Sequence, residues 1–156
     1  MDNGFAESEG MRNLKYLLGI DLGTSGTKTV LFEETGRAVA SETIEYPLYQ
    51  PKNGWAEQEP EDWWNAARDT VKAVIAKSGV KPEDVKGVGI SGQMHGLVLL
   101  DREGRVLRRS ILWCDGRTQE ECDEITQTIG KERLIELSAN PALTGFTAGK
   151  ILWVRK

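Results

Sequence analysis

The chain has 156 residues, a formal net charge of −4, 39% apolar residues and 28% charged residues. That length suits one domain with a core of its own, and the acidic balance leaves no electrostatic footprint for nucleic acid. Two cysteines and one histidine exclude a disulfide framework and a zinc site of ordinary spacing, and no apolar run approaches the ~20 residues that cross a bilayer.

The opening "MDNGFAESEG" is polar and acidic, unlike a signal peptide. Residues 1–13 are expected to form a disordered tail. Cys114 and Cys122 are expected to be reduced, half-buried thiols of a cytoplasmic protein. "LKYLLGIDLG" has strand length and ends at Asp21 and a glycine. "TKTVLFEETG" resumes a strand, with Val30 and Phe32 on one face, and "EETG" turns it. "RAVASETIEYP" is a third strand, stopped by Pro47. Short turns between successive strands predict an antiparallel meander.

The next element is the strongest helix signal. Pro60 suits the first helical position, and Glu61 and Asp62 complement the N-terminal dipole. Trp63, Ala67, Val71, Val74 and Ile75 recur at spacings of three and four, and Gly79 terminates the run. "KGVGIS" is then a short apolar strand. A helix between strands implies a crossover and a parallel neighbour.

"HGLVLLDREG" and "RVLRRSILWC" read as two strands around a turn at Arg102 to Gly104. A second helix is expected from about Thr118 to Ile129, with Cys122, Ile125 and Ile129 inward and Gly130 after it. "KERLIELSA" suits a short helix and "NPALTGFTAGK" a loop, with Thr147 as the cap of a last helix. That helix has barely begun at Lys156, so the sequence is expected to be a piece of a longer protein.

Two glycine motifs are decoys. "GVGISGQMHG" holds a GxGxxG at Gly87, Gly89 and Gly92, but no amphipathic helix follows to receive a pyrophosphate. "GFTAGKI" has three residues between its glycines where a P-loop needs four, and Ile151 where the hydroxyl belongs. The better phosphate signal is "GIDLGTSGTKTVLF". Gly23 and Gly26 let backbone approach an anion. Thr24, Ser25 and Thr27 offer hydroxyls, and Lys28 a cation. Asp21 suits a magnesium ion held through water. The competing reading is a hairpin with a Gly-rich turn; a carboxylate directly after an apolar strand argues against it.

"GIDLGTSGTK" resembles the first phosphate motif of the actin, hexokinase and heat-shock ATPase superfamily. Together with "EQEPEDWW", "GISGQMHG", "LWCDGRT" and "GFTAGKILWV" in this order, it resembles the N-terminal part of the FGGY carbohydrate kinases, from about residue 14 to residue 156. "GQMHG" is similar to the xylulose-specific members; the matching loop of the glycerol-specific members carries arginine and glutamate. The resemblance implies an α/β, RNase H-like domain of the actin/hexokinase type, incomplete here, with a mixed sheet of antiparallel meander followed by helix crossovers. It implies a kinase that moves the ATP γ-phosphate to D-xylulose, with ATP and Mg²⁺, no nucleic acid and no membrane; a homodimer is left open. Other FGGY sugars (ribulose, gluconate, glycerol) and a non-catalytic folded module are the rival readings.

Carried onto this chain, the resemblance makes Asp21 the catalytic acid linked to magnesium and phosphate. Gly23, Thr24, Ser25, Thr27 and Lys28 become the phosphate turn, and Met94 and His95, with Gln93 beside them, the sugar site. By itself His95 reads as a surface or satisfied histidine. The family's general base is an aspartate later than residue 156, and Asp101, Asp115 and Asp123 lack the matching context. Trp113 reads as core, with stacking on sugar as the other reading. Asp115 and Arg117 either shape the site floor or form an ion pair that orients the next helix. Trp55, Trp63, Trp64 and Trp153 read as packing.

Overall fold

The computed structural model describes residues 15–156; the expected tail over residues 1–13 lies outside the described residues. Three strands follow one another: β1 (Tyr16–Leu22), β2 (Gly26–Glu33) and β3 (Ala38–Glu45). Each pairs antiparallel with the next, as short turns require. Gly26 has no room for a side chain, since a Cβ there would lie 2.7 Å from the Ile44 carbonyl oxygen. The two-residue β4 (Glu57–Gln58) precedes helix α1 (Pro60–Ser78). Gly79 closes that helix in the left-handed region at φ 67°, donating its N–H to the Ile75 carbonyl. A 3₁₀ turn at Pro82–Asp84 leads into β5 (Val85–Gly92), which runs parallel to β1. The sheet order is β3-β2-β1-β5.

Helix α1 covers one face of this sheet. Leu18, Leu31 and Val74 form the buried cluster, with Tyr16, Val39, Ala40, Val71 and Ile75 packed on it. Alternation along β2 puts Thr27, Thr29 and Leu31 on the covered face, and so Val30 and Phe32 on the other. The polar pair on the covered face is satisfied internally: Thr29 and Thr70 share a 2.7 Å hydroxyl hydrogen bond. The uncovered face leaves Leu17 exposed, while Val88 and Ile90, which share the face of Leu18 and Ile20, are exposed on β5 at the edge of the sheet.

The expected strand pair after Gly96 shrinks to isolated bridges, Leu97 with Ile111 and Leu100 with Val106. Only β6 (Ser110–Ile111) is regular, and it pairs with β4 rather than with a partner of its own hairpin. Leu97, Ile111, Leu112 and Ala56 are buried there. Helices α2 (Gln119–Ile129), α3 (Lys131–Ser138) and α4 (Thr147–Arg155) complete the chain. Cys122 faces inward as expected, but Ile129 is exposed at the last turn of α2. Thr147 is the first residue of α4, not its cap, and its hydroxyl serves another carbonyl. Trp64 is exposed on α1 rather than packed.

Arg117 and Asp115 form a buried ion pair at 2.7 Å, extended by Arg117 to Glu57 at 2.8 Å. The guanidinium lies 3.6 Å over the Trp55 ring, and Trp55 meets Trp153 edge-on. Asp115 also accepts the Ala56 N–H. This is the ion-pair reading of the two residues, which lie two and four positions before α2.

Candidate phosphate turn and sugar loop

β1 and β5 are parallel and in register to their ends, with Leu22 opposite Gly92. The turn after β1 and the loop after β5 therefore leave the sheet at the same edge. In open α/β sheets this carboxyl edge is where ligands bind. The first segment carries Gly23, Thr24 and Ser25; the second carries Gln93, Met94 and His95.

Asp21 and Lys28 are cross-strand partners on the uncovered sheet face, and both are exposed. They share a shallow depression of about 420 Å³ with Ser91 and Ile90. Ser25 is exposed at the tip of the turn. Thr27 does not join them. The pleat turns its side chain under the sheet, where it is fully buried and its hydroxyl reaches Tyr46 at 3.5 Å. The Tyr46 hydroxyl in turn donates to the Gly23 carbonyl. Burial pushes the Tyr46 pKa up, which keeps it a donor there.

The turn and the loop are joined by one polar network. Gln58, fully buried on β4, donates its amide to the Thr24 carbonyl at 2.7 Å. Its amide oxygen accepts from Gln93 Nε2 at 2.9 Å and from Trp63 Nε1 at 3.0 Å. The Thr24 hydroxyl reaches Gln93 Oε1 at 3.4 Å, and the Gln93 N–H donates to the Leu22 carbonyl at 2.8 Å. Gln93 thus points back at the turn instead of standing beside Met94 and His95. Trp113, expected in the core, is 48% exposed and donates Nε1 to the Thr24 hydroxyl at 3.1 Å.

Met94 is 70% exposed, and His95 is exposed with a left-handed backbone at φ 62°. The imidazole lies 4.8 Å from the Phe146 ring. Behind it a cavity of about 290 Å³ runs between α2, α3 and α4, lined mainly by apolar side chains such as Ile125, Leu134 and Leu143. Among the described residues no cluster of three His, Cys, Asp or Glu is placed to hold a metal ion. Nor does any helix there have the length and apolarity to cross a membrane.

Gln58, Phe146 and Lys150 escaped the sequence reading. Gln58 lay hidden as a polar residue ahead of a helix. Lys150 carries a signal, a lone cation within the otherwise uncharged run "AGKILWV".

Comparison with known proteins gives this geometry its setting. The model of the FGGY family of carbohydrate kinases, N-terminal domain, matches residues 16–156. The chain is 44% identical over 143 residues to a xylulose kinase of Bacillus subtilis (strain 168), covering 92% of this chain and 28% of that protein. The crystal structure of a "xyloylose kinase" from Brucella ovis superposes with a TM-score of 0.82 at 40% identity, over 89% of this chain and 29% of that one. A gluconate kinase structure from Lactobacillus acidophilus superposes with a TM-score of 0.83 at 30% identity, over 92% of this chain and 28% of that one. The chain belongs to the FGGY family of carbohydrate kinases, within the family's N-terminal domain. Its fold is the α/β fold of actin/hexokinase-type ATPases. It spans about 28% of the length of the curated relatives it matches.

Proposed function

We propose that this segment supplies the phosphate turn and sugar loop of an ATP-dependent kinase that phosphorylates D-xylulose to xylulose 5-phosphate. The observation that carries the reading is the hydrogen-bonded juncture of Thr24 with Gln93 through Gln58. It fixes an anion-type turn against a loop bearing Met94 and His95, as transfer between a phosphate donor and a sugar requires.

In this reading Ser25 and Thr24 offer hydroxyls to phosphate oxygens, and Lys28 offers a cation on the same side. Thr27 serves the fold alone. Asp21, a single exposed carboxylate, fits Mg²⁺, which takes one or two carboxylates and completes its shell with water and phosphate oxygens. Bound there, the ion would offset negative charge on the transferring phosphoryl group. His95 presents one donor and one acceptor to ketose hydroxyls, while Met94 packs on the carbon face.

No general base stands among the described aspartates considered. Asp115 is buried and committed to Ala56 and Arg117. Asp101 closes its own turn with Glu103 and Arg105, and Asp123 accepts from Gln119. The base and the adenosine contacts are assigned to further parts of a longer kinase. The reading favours xylulose on the "GQMHG" loop and on the named xylulose kinases among the relatives.

The test is ADP release by a full-length kinase carrying this segment, and by the 156-residue chain alone. The expected result is highest kcat/KM with D-xylulose among xylulose, ribulose, gluconate and glycerol, and no turnover by the chain alone. Preference for another sugar, or turnover by the isolated chain, contradicts the assignment.

A further inference from the structure

Lysine is almost never fully buried without partners, because removing an ammonium from water is costly. Lys150, on the first turns of α4, has 0% exposure. Its ammonium donates to the His95 carbonyl at 2.8 Å and to the Gly145 carbonyl at 2.6 Å. Among the described residues no ion pair with a carboxylate accompanies it. A methionine would fill the same space without the charge, so the contribution particular to lysine is hydrogen-bond donation to these two carbonyls.

The carbonyl it holds belongs to a residue under backbone strain. His95 and Ala139 are the described non-glycine residues with positive φ. Such a conformation costs free energy and persists where the surroundings over-determine it. At His95 those surroundings come from the start of α4. The Thr147 hydroxyl donates to the same carbonyl at 3.3 Å, and the Phe146 ring tilts against the imidazole at 4.8 Å. The other carbonyl is fixed as well. Gly145 lies so close to Trp113 that a Cβ would fall 2.8 Å from the Trp113 carbonyl oxygen.

We infer that the start of α4 is a clamp on His95: Lys150 and Thr147 hold its carbonyl, keep its backbone left-handed and so aim its imidazole. Lys150 is then a positioning residue for the sugar loop. The functional half of this inference rests on the sugar-reading role proposed for His95; the conformational half does not.

The experiment has two arms. In the 156-residue chain, NMR of Lys150→Met reads the HN–Hα coupling and Cα shift of His95 and the ring-current shift of its imidazole. These signals are expected to move toward extended, unstacked values while those of Asp21 to Lys28 stay in place. Thr147→Val, which leaves the buried lysine intact, is expected to shift the same signals by less, and keeps the test valid if Lys150→Met fails to fold. Unmoved His95 signals in a folded variant overturn the clamp.

In a full-length kinase carrying the segment, Lys150→Met is expected to raise the sugar KM about five- to tenfold, with the ATP KM steady. On a His95→Ala background it should add little, because both changes act through one residue. Equal effects of Lys150→Met with and without the imidazole would overturn the positioning role. If His95→Ala itself leaves the sugar KM unchanged while the NMR signals still move, the sugar reading fails and the clamp stands.

Discussion

The Trp113 indole donates to the Thr24 hydroxyl at 3.1 Å, tying two residues 89 positions apart. The contact brings the half-exposed tryptophan of the "LWCDGRT" loop onto the candidate phosphate turn. Trp113→Phe keeps a ring and removes the donor. The expected cost is about 0.5–1.5 kcal/mol, measured by urea unfolding, with faster amide exchange at Thr24 and Ser25. Unchanged exchange in that turn would show that the indole does not order it.

Gln58 carries a heavier role, since it is fully buried and bonded to three groups. Gln58→Leu would leave the Thr24 carbonyl, the Gln93 amide and the Trp63 indole without that partner. A destabilisation of about 2–4 kcal/mol follows from unpaired buried groups, read from urea denaturation. Amide exchange should accelerate on both sides of the juncture. A loss confined to the turn, with the Gln93 loop unaffected, would refute the link between them.

The elements of this domain were legible where periodicity and capping agreed. Pro60 and Gly79 bound α1 where the sequence places them, and the meander followed from short turns. Helix phase was harder. Trp63 and Ala67 read as inward, yet Ala66, Thr70 and Val74 are the residues fully under cover. The reason is that β2 presents threonines to α1, and Thr70 meets Thr29 there. The strands expected after Gly96 shrink to bridges because apolar runs such as "LVLL" carry no register. Their backbone is spent on bridges to β6 and its neighbours. At the candidate site, local chemistry named Asp21, Ser25 and Lys28, and the family resemblance named Met94 and His95. It could not name Gln58 or Lys150, whose roles exist only through contacts 34 and 55 positions away. Thr27 was included for its hydroxyl, and the pleat of β2 takes that hydroxyl out of reach.

Burial pushes the Lys150 pKa down from its ordinary 10.5. The sign follows from proton linkage. Between the lowered folded value and the unfolded one, the unfolded chain binds more protons, so stability rises with pH. Wild type should therefore gain melting temperature relative to Lys150→Met as pH rises toward 10.5. Paired melting curves across alkaline pH check this; a difference that stays constant or falls contradicts it.

The two thiols should separate cleanly. Cys114 is exposed, whereas Cys122 is buried in α2 and its pKa is pushed up by that burial. A thiol reagent such as DTNB should label Cys114 rapidly in the native chain and Cys122 only on unfolding. Labelling at comparable rates would show that α2 does not pack against α4 in solution.

Steady-state kinetics of His95→Ala in a full-length kinase carrying this segment test most directly the sugar-reading role proposed for His95. Loss of a hydrogen bond to a ligand in a closed site costs roughly 1–3 kcal/mol, which is about tenfold or more in affinity. The predicted result is a sugar KM raised by that factor, an ATP KM little changed, and a melting temperature near wild type. An unchanged sugar KM in a stably folded variant would contradict it.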